Sequence, residues 1–151
     1  MKRSYIIALV MALVCGMSAF AKGGPGGLSA IGVYGSYGDS VGGVGLSLKF
    51  GSFPVLGVKY NFSSNPYFGL SADYYIIDSY TLVDSLSFFL GAGAYAGLAS
   101  NYFDVGLRIP VGLQLWVVKK LELYLSAVPE IPLFPTVGFG LAGEFGLRVH
   151  F

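Results

Sequence analysis

Charge is what this sequence has least of. Asp, Glu, Lys and Arg make up 11% of its 151 residues, less than half the share of about 25% usual in soluble domains. Intrinsic disorder is excluded too, since disordered chains are charged and poor in apolar residues, whereas this one is 54% hydrophobic. There is one histidine, His150, and one cysteine, Cys15, so neither a zinc site nor a disulfide framework is expected. A formal net charge of +1 leaves no basic footprint for nucleic acid. Long apolar runs are scarce. Tyr5 to Phe20 is one, and after it nothing approaches the roughly 20 residues that a spanning helix needs. The 23 glycines show no Gly-X-Y period, which excludes collagen.

What is present begins with an export signal. Lys2 and Arg3 form a positive n-region, Tyr5 to Met17 an apolar h-region, and Ala19-Phe20-Ala21 a small-residue cleavage site. Residues 1–21 therefore read as a secretory signal peptide. Val14 precedes Cys15 where a lipoprotein site needs a small residue, so lipidation is not expected. Residues 22–151 are then a single exported domain without cysteine, held by pairing and burial alone.

From Leu28 onward the hydrophobicity alternates with period two in segments of about ten residues, the pattern of a transmembrane barrel. The last segment is the clearest. Val137, Phe139, Leu141, Phe145, Leu147, Val149 and Phe151 share one face, against Gly, Ala, Glu144, Arg148 and His150. From Phe103 to Val117 eight apolar positions alternate strictly. Weaker alternation covers Gly43 to Phe50, Val55 to Phe62, Tyr67 to Ile76, Leu86 to Leu98 and Leu121 to Ser126, with a first strand near Leu28 to Tyr37. Turn chemistry separates them: Gly38-Asp39, Gly51 to Pro54, Ser63 to Pro66, Lys119-Lys120, and Pro129 to Pro135. The count is eight, which suits an all-β, closed antiparallel barrel with both termini at one end.

The two faces differ in size as well as polarity. Lys49, Lys59, Asp73, Asp104, Arg108, Glu122, Glu144 and Arg148 all fall on the face dominated by Gly, Ser and Ala. That face fits a narrow eight-stranded lumen, and the bulky apolar face does not. The bulky face is thus expected to meet lipid, and the eight charges to form a network inside. Four bases against four acids favour a salt-bridged plug that fixes register, with a narrow or gated channel as the alternative. Counting along hairpins sets Arg108 opposite Glu130, Gln114 opposite Tyr124 and Val55 opposite Asp73, and lets Lys49 reach Asp73 across one strand.

The residues Ala72-Asp73-Tyr74, Gly91-Ala92-Gly93, Val105 to Leu113, Leu121-Glu122-Leu123, Val128-Pro129, Gly138 to Leu141 and Gly146-Leu147-Arg148 with Phe151 carry a resemblance. The chain resembles the small eight-stranded outer-membrane barrels of the OmpA-transmembrane and OmpX type. More closely, it is similar to a porin-like outer-membrane barrel family known from spirochaetes. The resemblance covers about half the chain after residue 21, mainly its second half. It implies an outer-membrane protein and brings no active-site residue with it.

Function follows as a set of expectations. Phe145, Leu147, Val149 and Phe151 resemble the carboxyl-terminal signal by which outer-membrane barrels are recognised for insertion, so the expected partners are outer-membrane lipid and the barrel-assembly machinery. No catalytic residue, cofactor or metal is assigned. The lone His150 is one residue from the carboxyl end, away from any serine and acid at the outer leaflet. Gly42-Gly43-Val44-Gly45 precedes a strand, not a helix, and is no phosphate loop. The expected role is mainly structural, with at most weak porin-like conductance, in a monomer of the bacterial outer membrane. The alternative is a surface-binding protein that uses an apolar, proline-stiffened loop at 129–135.

Overall fold

Period-two alternation becomes nine strand segments in the computed structural model, which describes residues 29–38 and 42–151. The expected signal peptide, residues 1–21, and the turn at 39–41 lie outside the described residues. The segments are β1 (Ala30–Gly38), β2 (Gly43–Lys49), β3 (Val55–Asn61), β4 (Tyr67–Val83), β5 (Leu86–Ala99), β6 (Tyr102–Arg108), β7 (Val111–Val118), β8 (Leu121–Phe134) and β9 (Gly140–His150). All pairings are antiparallel, and each segment follows the wall round to the next. β1 also pairs with β9, Gly32 facing Arg148, which closes the ring.

β6 and β7 act as one strand broken at Ile109-Pro110. Both pair with β5, Gly93 facing Arg108 and Phe89 facing Gly112. Both also pair with β8, where Arg108 faces Glu130 and Gln114 faces Tyr124. Pro110 has no N–H to give to a ladder, which is why the strand is interrupted there. Neighbouring bonds bridge the break: Gly91 N donates to Pro110 O at 2.8 Å and Ile109 N to Pro129 O at 2.9 Å. The nine segments thus make a closed ring of eight strands.

Two boundaries differ from the sequence reading. β4 does not stop near Ile76 but runs to Val83, with register shifts between Tyr75 and Ile77 and between Ile77 and Tyr80. Pro129 to Phe134 is not a loop. It belongs to β8, with Glu130 buried inside the barrel, and only residues 135–139 connect it to β9. Pro132 sits where the ladder to β6 shifts register, and Pro129 lies beside the break at Ile109-Pro110, so neither position demands a regular run of donors. The loop expected at 129–135 is thereby corrected to the end of a strand and a shorter connection.

The two faces separate cleanly. Ile31, Leu46, Leu70, Leu113, Leu125, Phe145 and Val149 are exposed on the outside, Phe145 at 61% and Leu113 at 42%. Inside, the buried apolar cluster is small: Tyr34, Val55, Tyr75, Phe89 and Tyr124. Most of the buried interior is polar.

Candidate functional site

A small barrel is filled by its inward side chains, so the lumen itself is the site. All eight charges expected there, Lys49, Lys59, Asp73, Asp104, Arg108, Glu122, Glu144 and Arg148, are buried. The inward residues of β4, β8 and β9 sort them into two clusters. Along β4 the order is Asp73, Tyr75, Asp78. Along β8 it is Glu130, Ser126, Tyr124, Glu122. Along β9 it is Glu144, Gly146, Arg148, His150. A layer of Tyr75, Phe89 and Tyr124 lies between the clusters. Tyr75 stacks on Phe89 with centroids 4.8 Å apart, and Phe89 meets Tyr124 edge-on at 6.3 Å.

The cluster at the end where Phe151 meets Ser29 centres on Glu122. Its Oε1 accepts from Arg148 Nη1 at 2.9 Å and from Gln114 Nε2 at 3.1 Å, while its Oε2 lies 2.6 Å from His150 Nε2. Arg148 spends its other nitrogens on Ser47 Oγ and the Tyr75 hydroxyl, each at 2.9 Å, and its guanidinium lies 4.0 Å from the centre of the Tyr124 ring. Lys49 pairs with Asp78. Asp78 Oδ1 also accepts from Ser79 Oγ at 3.2 Å, and the Ser79 N–H donates to Gln114 Oε1 at 3.1 Å. Trp116 packs beside His150, with ring centroids 4.7 Å apart.

In the other cluster Arg108 spans two carboxylates. Its Nη2 donates to Glu144 Oε1 at 2.7 Å, and its Nε is 3.0 Å from Asp73 Oδ1. Farther toward that end the Tyr67 hydroxyl donates to Asp104 Oδ1 at 3.0 Å. Lys59 lies with its ammonium 5.7 Å from the centre of the Tyr67 ring.

Several of these pairings skip a strand, and three do so over a glycine. Arg108 on β6 reaches Asp73 on β4 across β5, where Gly93 faces both. Arg148 on β9 reaches Ser47 on β2 across β1, where Gly32 faces both. Gly97 lies under the Tyr67–Asp104 bond in the same way. In each case the intervening residue has no side chain, and a Cβ there would collide with the bridging groups. The glycines of the lumen face therefore do more than keep it narrow. They leave the channels through which long side chains cross.

The expected Lys49–Asp73 contact does not form. Lys49 takes Asp78, and Asp73 takes Arg108. The sequence reading missed Asp78 because the bulge after Tyr75 sends Ile76 and Ile77 both outward and returns Asp78 to the inside. Strict alternation would have put Asp78 on the outer face. The available signal was the single charge within Tyr74 to Val83. Glu130 was correctly set opposite Arg108 by register, yet was counted with a loop; it is a further buried lumen charge. Phe145, Leu147 and Val149 lie on the outer face of β9, and Phe151 is exposed just beyond it, its N–H donating to Ser29 O at 2.9 Å. Among the described residues no group of three His, Cys, Asp or Glu side chains could hold a metal ion.

Fold and site together define a closed eight-stranded antiparallel barrel, apolar outside and filled with charge inside. Among solved structures it is similar to the N-terminal β-barrel domain of Pseudomonas aeruginosa OprF, with a TM-score of 0.56, 16% identity, and coverage of 83% of this chain and 99% of that one. Neisserial surface protein A aligns with a TM-score of 0.44 and 18% identity, over 82% of this chain and 94% of that one. At such identities the likeness to OprF is one of fold. No protein-family model and no curated protein matches the chain, and the closer resemblance to a spirochaetal porin-like family finds no support in these comparisons.

Proposed function

We propose that this chain is an integral protein of the bacterial outer membrane with a mainly structural role, its lumen closed by ion pairs. One observation carries the reading: strand charges are buried inside while the outward positions are exposed and apolar. Such an exterior is stable only against lipid, and a closed barrel satisfies its backbone without water. The export signal read at residues 1–21 supports the same compartment, and the Phe145, Leu147, Val149, Phe151 pattern supports handling by the barrel-assembly machinery. Ring closure leaves no partner strand wanting, which supports a monomer.

The plug follows from the pairing. Arg108 reaches carboxylates on β4 and β9, Arg148 bonds Glu122 on the neighbouring strand and reaches Tyr75 on β4, and Tyr75, Phe89 and Tyr124 fill the section between them. An eight-stranded barrel is narrow enough for side chains to occupy the whole section. The test is conductance in a planar bilayer. The refolded protein should show little or no steady current. Large, stable wild-type currents would replace the plug with the porin-like reading.

A further inference from the structure

Two of the lumen charges are buried without a bonded partner. The Lys59 ammonium and the Glu130 carboxylate make no hydrogen bond or ion pair among the described residues, yet Glu130 is 3% exposed and Lys59 8%. The other buried bases of the strands, Lys49, Arg108 and Arg148, are each paired with a carboxylate. Lys59 has the face of Tyr67 at 5.7 Å, which leaves its N–H groups without an acceptor oxygen. A buried charge in that condition is strongly disfavoured unless something else bonds it.

The backbone brings the two groups toward one point. Lys59 lies opposite Gly69, where a Cβ would stand 3.4 Å from Lys59 Cε, so its stem has room to lean over β4. Tyr95 leans over Gly106 in the same way, its ring 2.6 Å from where a Cβ would be. Counting β6 and β7 as one strand, β3 and β8 stand on opposite sides of the ring of eight. Lys59 and Glu130 thus approach from across the barrel, and both line a cavity of about 10 Å³ together with Tyr34, Tyr67, Tyr95 and Arg108. That volume is about one water molecule, and a buried water needs roughly two to four polar partners. Lys59 and Glu130 supply two.

We propose that this cavity binds a single buried water, which accepts a hydrogen bond from the Lys59 ammonium and donates one to the Glu130 carboxylate. A bare cation would face Lys59 and Arg108, and an anion would face Glu130; neutral water suits both sides. The water needs no open route from solvent, because it is enclosed as the ring closes. It ties β3 to β8, two strands that no direct side-chain bond joins among the described residues. The proposal rests on the plug reading and deepens it: the lumen is closed by direct ion pairs and by one that water completes.

Diffraction from crystals of the protein grown in detergent, at a resolution that orders single waters, tests it. One water should lie about 2.7–3.2 Å from both Lys59 Nζ and a Glu130 carboxylate oxygen. Glu130→Gln keeps an acceptor there and should keep the water, whereas Glu130→Leu should lose it. Should Glu130→Leu not fold, Lys59→Met removes the other partner and should also empty the site. A direct Lys59–Glu130 bond in the wild type, no ordered density between them, or a file of waters running from the cavity to bulk overturns the proposal. So does a water that persists unchanged in the variant lacking a partner. These outcomes all leave the plug to be judged by conductance: a large wild-type current would remove that reading, whatever the density at Lys59 and Glu130.

Discussion

Glu122 is the residue whose loss should be felt most. It is fully buried and accepts from Arg148 and Gln114 while contacting His150. In Glu122→Ala the Arg148 guanidinium keeps Ser47 and the Tyr75 hydroxyl but loses its carboxylate. Removing one partner of a buried pair costs about 3–5 kcal/mol, because the remaining charge stays desolvated. Equilibrium unfolding in urea, with the protein in lipid vesicles, measures this directly. Glu122→Gln should lose less, since the amide oxygen still accepts from Arg148. Arg148→Ala should resemble Glu122→Ala, and the double variant should be clearly less unstable than the sum of the two. Coupling between residues in contact runs to about 0.5–3 kcal/mol. If Glu122→Ala shifts stability by less than about 1 kcal/mol, the value of an exposed ion pair, or if the two losses simply add, the network described around Glu122 is not what closes this end.

Other perturbations probe separate parts of the argument. Arg108→Ala leaves Asp73 and Glu144 without their shared base and should lower stability or raise bilayer conductance, whereas Lys119→Ala, on the exposed turn after β7, should change stability by no more than about 0.5 kcal/mol. Leu113→Arg puts a charge on the lipid face and should cost about 2–4 kcal/mol if the position lies near the bilayer midplane; free tolerance in vesicle refolding would refute the facing. Gly146→Ala brings a Cβ to 2.5 Å from the Tyr124 ring, and overpacking of that kind costs about 1–3 kcal/mol, while outward Gly143→Ala, with its nearest neighbour at 3.7 Å, should be almost silent in the same unfolding assay. Deleting Phe151 should impair assembly in cells but leave refolding in detergent largely intact; normal cellular assembly without it would remove its role as a recognition signal.

The barrel was legible because its two faces obey a local rule. Alternation over Phe103 to Val117 and Val137 to Phe151 states which side chains share a side, and short turns set the register, as with Gln114 opposite Tyr124 and Arg108 opposite Glu130. What failed was anything that depends on a break in the rule or on distance across the interior. The bulge after Tyr75 reverses parity and hid Asp78. Prolines at 129 and 132 mimicked a loop because a strand paired on both sides is expected to exclude them, whereas an interrupted ladder admits them. The partner of Lys49 was misjudged because hairpin counting measures distance along the wall. Lys49 does cross the one intervening strand, β3, but the bulge brings Asp78 within its reach in place of Asp73.

The glycine beneath each crossing has a consequence for how the ends of the chain find each other. β1 and β9 are the first and last strands among the described residues, and no turn joins them to set the alignment of their seam. A slip of one residue there would turn β9 inside out, sending Phe145 and Val149 inward. A slip of two preserves the faces, and hydrophobicity alone would not reject it. It would, however, carry Arg148 from opposite Gly32 to opposite Ala30 or Tyr34, whose side chains obstruct the path to Ser47. The correct alignment is thereby distinguished from its nearest acceptable neighbours by a missing side chain, and the seam carries its own check on register.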